Sequence, residues 1–250
     1  MRQQETDQNI IFGIHPVIEA LDSGKEIEKV YLKKGVSNEA LAGIKRTLKG
    51  RRVPFQEVPQ EKLNRLTRKN HQGVVALLSP IEYSNIEEEL KRVYERGEVP
   101  LILVLDRVSD VGNFGAICRS AECAGVHAIL IPTKGSAQIN SFAVKSSAGA
   151  IFNIPICRTG HILSEVRNMK ESGLQLVAVT EKGDKSMHDS NLTGPMVVIM
   201  GSEEDGIGDG LLELADIHAN IPMAGSTGSL NVSVATGIIL FERLRQISNG

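Results

Sequence analysis

The chain has 250 residues, a formal net charge of −2, and a composition that is 41% hydrophobic and 23% charged. That length suits one large domain or two small ones, and the ordinary apolar and charged fractions exclude wholesale disorder or a fibrous repeat. No apolar run approaches the ~20 residues of a membrane span, and the opening MRQQETDQNI lacks a secretory apolar core, so a cytoplasmic protein without a membrane partner is expected.

In chain order, Ile10–Phe12 reads as a short strand, and Pro16 suits the first turn of a helix carrying Val17, Ile18, Ala20 and Leu21. Val30–Leu32 reads as a strand, Asn38 to Lys49 as a helix with Leu41, Ile44 and Leu48 on one face, and Val53–Val58 as another strand. A short helix around Lys62–Leu66 and the apolar run Val74–Leu78 complete a small α/β unit over residues 1–78. This part carries a local charge of +5, against −3 for 79–100 and −4 for 101–250. Its cations concentrate in residues 45–69, including Lys45, Arg46, Arg51, Arg52, Arg65 and Arg68. Such a block on an otherwise acidic chain is either a phosphate-binding surface or a solvated helix face plus loop. Pro80 interrupts the pattern, and Ile86–Tyr94 is a charged helical connector, so residues 79–100 are expected to link two domains.

From Leu101 the chain alternates strands and helices. LILVLD (101–106) is a continuous apolar run of the kind a buried parallel strand shows. A helix from about Phe114 to Ala124, the strand AILIP (128–132), and helices around Phe142–Ser147 and His161–Glu171 follow. LQLVAVT (174–180), MVVIMG (196–201) and IHANIP (217–222) are further strands, with a helical turn near Leu211–Leu214 and a long last helix from Asn231. The pattern implies an α/β fold with a mostly parallel sheet, helices on both faces and ligands at the carboxyl ends of the strands. The last helix is apolar nearly all round, from Val232 to Ile247, so either a large core or a subunit interface must cover it.

Several chemistries are excluded by their missing motifs. There is no P-loop, no G-x-G-x-x-G after the first strand of this domain, no H-E-x-x-H and no G-x-S-x-G elbow. Cys118, Cys123 and Cys157 make neither a disulfide framework nor a Cys-x-x-Cys metal site, and the six histidines are scattered, so no metal is expected. Three strand-end loops remain. In Asp106–Ala121, Asn113 reads as the N-cap of the next helix, with Arg119 in its second turn, either as a functional cation or in a surface ion pair. Gly201–Gly208 (GSEEDGIG) places flexible backbone beside three carboxylates. In Ile221–Ala235 (IPMAGSTGSLNVSVA), Ser229 and Asn231 mark a helix start, and a cap accounts for one of them more readily than for both.

Together these loops resemble, in order, the three signature motifs of the SpoU-type RNA ribose 2′-O-methyltransferases of the SPOUT superfamily. Val111 stands where a Pro is common in the first motif, and Glu204 where a Gly is common in the second. The segments FGIHPVIEAL (12–21) and HQGVVA (71–76) are similar to the family's small substrate-binding domain. The resemblance implies a trefoil-knotted methyltransferase domain over 101–250, a homodimer, and S-adenosylmethionine as cofactor without a metal. It implies cofactor contacts at Gly201, Ile221 and Leu230, with Thr180, Met223 and Ser229 nearby. It gives Arg119 the essential catalytic place, either as a base or, since a guanidinium holds its proton firmly, as an electrostatic clamp on an RNA phosphate. Asn113 and Asn231 are then expected to hold ribose hydroxyls or Arg119, Glu203 to join the arginine network, and Ser229 the cofactor loop. The implied substrate is a guanosine of 23S ribosomal RNA, docked by the basic block. The alternatives are a tRNA ribose methyltransferase or a non-catalytic RNA-binding assembly factor.

Overall fold

The computed structural model describes residues 10–35 and 39–248. The expected helix start at Asn38 and most of the opening segment fall outside these residues. The chain divides into two compact units, the first ending at Glu82 and taking in Ile139–Ser141, the second starting at Tyr83.

The first unit runs β1 (Ile10–Phe12), α1 (Ile14–Asp22), β2 (Ile27–Lys33), α2 (Glu39–Gly50), β3 (Phe55–Val58), α3 (Gln60–Leu66) and β4 (Val74–Leu78). Its four strands lie in the order β1-β4-β2-β3. Only β2 and β3 are parallel, as expected of strands joined through a helix. The apolar faces of α1 and α2 meet one side of this sheet through Val17, Leu21, Ile44 and Leu48. Leu63 of α3 packs with Tyr31, Val58 and Val75 in a separate cluster.

The second unit contains α4 (Ile86–Glu95), β5 (Leu101–Leu105), α5 (Val111–Cys123), β6 (Ala128–Pro132), α6 (Ser141–Ser146) at its edge, β7 (Ile156–Thr159) and α7 (Ile162–Glu171). It continues with β8 (Gln175–Val179), β9 (Lys185–Ser186), β10 (Met196–Met200), α8 (Asp209–Leu214), β11 (Ile217–Asn220) and α9 (Val232–Ser248). Seven strands form one sheet in the order β7-β6-β5-β10-β8-β11-β9, with every pairing parallel. The central strands β5 and β10 are wholly buried, which is why they read as unbroken apolar runs. The stretch 79–100 is not a bare connector: Ile86 and Leu90 of α4 enter the core of this unit beside Val104 and Leu130. Among the described residues no helix is long and apolar enough to cross a membrane.

Two features set how the last elements sit. Strand β11 runs between β8 and β9, which are neighbours in sequence, so the 180–186 connection passes over a strand that comes later in the chain. A Cβ at Gly183 would lie 2.6 Å from the His218 carbonyl oxygen and 2.7 Å from the Ala219 carbonyl carbon, so only glycine lets this connection lie so close. At the far end of α9, Gln246 donates to the Ser190 carbonyl at 3.1 Å and accepts the Leu192 N–H at 3.0 Å, fastening segment 187–192.

Glu242 belongs to the same clasp. It accepts from Arg245 at 2.7 and 2.8 Å and from Gln246 at 3.0 Å, and these bonds hold its carboxyl down to about 2 from an ordinary value near 4.5. A depressed carboxyl contributes stability that is complete above the unfolded value and is lost as pH falls towards the folded one. Thermal melts should therefore show the melting temperature falling between pH ~4.5 and ~2, with a shallower fall in Glu242→Gln. Parallel curves for the two proteins would exclude this clasp as an acid-sensitive element.

Candidate active site

The first of the three strand-end loops is tied to the second by two consecutive residues. Asp106, buried at the end of β5, accepts the Gly208 N–H at 2.7 Å. Arg107 takes a left-handed backbone (φ 61°) and reaches Asp205 at 3.3 Å and the Gly206 carbonyl at 3.4 Å. Sequence reasoning assigned neither residue a role, although an Asp-Arg pair closing an apolar strand run was a readable signal.

Asp110, not Asn113, caps α5: its carboxylate accepts the Asn113 N–H at 2.7 Å, and the helix starts at Val111. Asp110 is itself a strong capping residue three positions upstream, so it closes the first turn and leaves the Asn113 side chain available. In the second loop, Ser202 and Gly206 exchange backbone bonds at 3.1 and 3.0 Å. A Cβ on Gly201 would overlap the Gly206 carbonyl carbon and the Ile207 nitrogen, so the closed turn requires glycine there. In the third loop Asn231 is the cap, accepting the Ser233 and Val234 N–H groups at 3.0 and 3.4 Å. Ser229 is thereby left free of the helix start.

The three loops meet through side chains. Asn231 Nδ2 donates to Glu203 Oε1 at 2.6 Å and to Asn113 Oδ1 at 3.0 Å, and Asn113 Nδ2 donates to the same Glu203 oxygen at 3.3 Å. Three residues from three distant parts of the chain thus form one closed polar cluster. Arg119 is not drawn into it. It is exposed on α5, has no hydrogen bond or ion pair among the described residues, and does not line the adjoining cavity.

That cavity, of about 450 Å³, lies within the size range of small-ligand sites. Thr180, Gly201, Ile221, Met223, Ser229 and Leu230 all line it. From Ile221 to Leu230 no backbone N–H or C=O enters a backbone hydrogen bond among the described residues, so this wall presents free donors and acceptors. Met200, Ile221 and Leu230 add apolar surface, and Glu203 stands at the edge. Free peptide groups for a purine edge, apolar side chains for its faces and a carboxylate for a cationic centre fit S-adenosylmethionine.

Other chemistry finds little support here. Burial pushes the thiols of Cys118 and Cys157 up to about 12, which keeps them protonated and poor nucleophiles. No group of three or more His, Cys, Asp or Glu side chains suited to a metal occurs among the described residues. In the basic block of the first unit, Lys45 pairs with Glu57 and Arg51 with Asp22, both at 2.8 Å. Arg46, Arg52, Arg65 and Arg68 are exposed and have no ion-pair partner among the described residues.

Residues 100–241 match the SpoU rRNA Methylase family, and residues 10–84 match the domain described as RNA 2′-O ribose methyltransferase substrate binding. The chain is 37% identical over 242 residues to the 23S rRNA (guanosine-2′-O-)-methyltransferase RlmB of Photorhabdus laumondii subsp. laumondii, covering 96% of this chain and 99% of that one. Among solved structures it is similar to the SpoU methyltransferase AviRb from Streptomyces viridochromogenes in complex with AdoMet. That match has a TM-score of 0.61 and 26% identity over 100% of this chain and 95% of that chain. An AdoMet-bound rRNA methyltransferase from Sinorhizobium meliloti matches with a TM-score of 0.59 and 29% identity, over 96% of this chain and 87% of that one.

Proposed function

Because the chain belongs to the SpoU rRNA Methylase family, we propose that it methylates the ribose 2′-hydroxyl of a guanosine in 23S ribosomal RNA, with S-adenosylmethionine as methyl donor. The observation that carries this reading is the meeting of all three strand-end loops in one Asn113–Glu203–Asn231 cluster, beside a cavity lined by the second and third of them. A non-catalytic RNA-binding factor has no need of that convergence.

When bound, S-adenosylmethionine supplies a methyl group already activated on a sulfonium. The residues of this chain must then bring a weak nucleophile into line and help it lose its proton. Asn113, with one amide hydrogen left over from its bond to Glu203, holds the ribose, and Asn231, whose amide hydrogens go to Glu203 and Asn113, keeps that side chain in place. Glu203 fixes both amides and sets a negative charge near the cationic donor. Thr180, Gly201, Ile221, Met223, Ser229 and Leu230 hold the donor. Arg119, exposed and unpaired, engages an RNA phosphate and stabilises charge developing on the 2′-oxygen. The hydroxyl proton leaves by way of that phosphate to solvent.

The same reading gives the second unit a trefoil knot, supported by the passage of the 180–186 connection over β11. It gives the protein a homodimer, supported by Val234, Phe241 and Ile247 of α9, which are 50%, 51% and 44% exposed. Such apolar side chains on one helix suit a subunit contact. The α/β part expected over residues 1–78 docks the RNA, and the substrate implies the cytoplasm.

Ribose-methylation mapping of ribosomal and transfer RNA, with and without the protein, tests the reading: one protein-dependent 2′-O-methylguanosine in 23S rRNA is expected, and none in either RNA would overturn it. The cluster gives a second test. Asn231→Ala removes a helix cap, a loss of about 1 kcal/mol, together with the links to Glu203 and Asn113. Asn231→Ser restores an accepting cap without those links. Melting temperature should fall in the alanine variant and recover in the serine variant, while methyl transfer stays low in both. Recovery of activity with the serine would show that Asn231 acts only as a cap.

A further inference from the structure

The turn around His71 takes no part in the site described above, yet it is built with unusual care. His71 is buried, and both ring nitrogens are engaged: Nδ1 accepts the Gly73 N–H at 3.0 Å, so Nε2 carries the hydrogen and donates to Asn64 Oδ1 at 2.9 Å. With its oxygen held this way, Asn64 keeps its amide NH2 for another partner. Both residues border a cavity of about 490 Å³ in the first unit, at the end of β2 and beside α3.

The lining of this cavity has a definite chemistry. Lys33, Arg68 and Lys69 reach it, and none of the three has an ion-pair partner among the described residues. Lys69 also stands over the Phe12 ring, 5.6 Å from its centre. The amides of Gln60 and Asn70 line it without a hydrogen-bond partner among the described residues. No Asp or Glu is among its lining residues. By contrast, Lys45 and Arg51 of the basic block are neutralised by Glu57 and Asp22, and Arg46 and Arg52 lie outside the cavity.

Three unpaired cations beside neutral amides match a phosphodiester that carries a hydrogen-bonding base. Proteins read RNA sequence chiefly at unpaired nucleotides, where base edges are accessible. We propose that this cavity binds an unpaired nucleotide of the RNA substrate, with phosphates on Lys33, Arg68 and Lys69 and a base edge on the amides of Gln60, Asn64 and Asn70. The inference rests on the protein being an RNA methyltransferase and adds a recognition subsite in the first unit. His71 is a positioning residue, since it orients the Asn64 amide.

The test uses the full-length protein and unmethylated 23S rRNA transcript, with binding measured across salt concentrations. Arg68→Ala/Lys69→Ala should weaken binding about tenfold and make the log–log salt slope shallower by about 1.5, as expected for two lost phosphate contacts. Gln60→Ala/Asn70→Ala, which removes no charge, should weaken binding severalfold with the slope unchanged. All four positions are exposed, and both variants should keep the wild-type melting temperature and the wild-type affinity for S-adenosylmethionine. Arg46→Ala/Arg52→Ala serves as the comparison and should lose less. Wild-type affinity and slope in Arg68→Ala/Lys69→Ala would overturn the subsite, as would an equal loss in the comparison pair, which would mark diffuse attraction. A wild-type protein that methylates no RNA would instead overturn the underlying reading.

Discussion

Arg119→Ala should lower methyl transfer at least ~100-fold, about 2.7 kcal/mol of transition-state stabilisation, while binding S-adenosylmethionine as the wild type does. The separation of the two effects follows from geometry, because Arg119 does not line the cavity. The residue is exposed and unpaired, so its removal neither empties the core nor strands a buried charge. Single-turnover kinetics with saturating donor would isolate the chemical step, and calorimetry would confirm the unchanged affinity. Arg119→Lys keeps the charge and loses the planar fork, so an intermediate rate is expected if the guanidinium works as a clamp. Full activity in Arg119→Ala would remove the residue from the chemistry.

Gly201→Ala should do the reverse and remove donor binding altogether. The added methyl group meets backbone atoms of Gly206 and Ile207, which no side-chain rotation relieves. The Ser202–Gly206 pairing must open, and with it the Arg107 and Asp106 contacts that tie this turn to the first loop. Forcing one methyl group into such a contact costs about 1–3 kcal/mol. A lower melting temperature, no detectable heat with S-adenosylmethionine and no methyl transfer are expected together. Wild-type donor affinity would show that the turn is not part of the donor cradle.

The sheet of the second unit was legible where burial is two-sided. LILVL and MVVIM are apolar without interruption because each strand is covered on both faces. Strand β7, with Arg158 and Thr159 at an edge, and the two-residue β9 carry no such signature and were not foreseen. The cap of α5 was misplaced because Asp110 and Asn113 are both good capping residues, and only the backbone decides between them. Asn113, Glu203 and Asn231 were identified from their motifs, but their mutual hydrogen bonds span up to 118 residues and depend on the sheet order. The ion pairs of Lys45 and Arg51 were equally hidden, since Glu57 and Asp22 come from separate elements. Composition counts a paired cation and a free one alike.

The position of β11 constrains the order of assembly. A strand that enters between two partners already joined in sequence cannot pair until the chain beyond residue 216 is available, by which point most of a nascent polypeptide has left the ribosome. Long-range parallel pairing of this kind is slow, because the closure entropy precedes the contacts that reward it. Shortened translation products therefore have a sheet without a cradle, and competence for methyl transfer arises only in chains finished to their last helix.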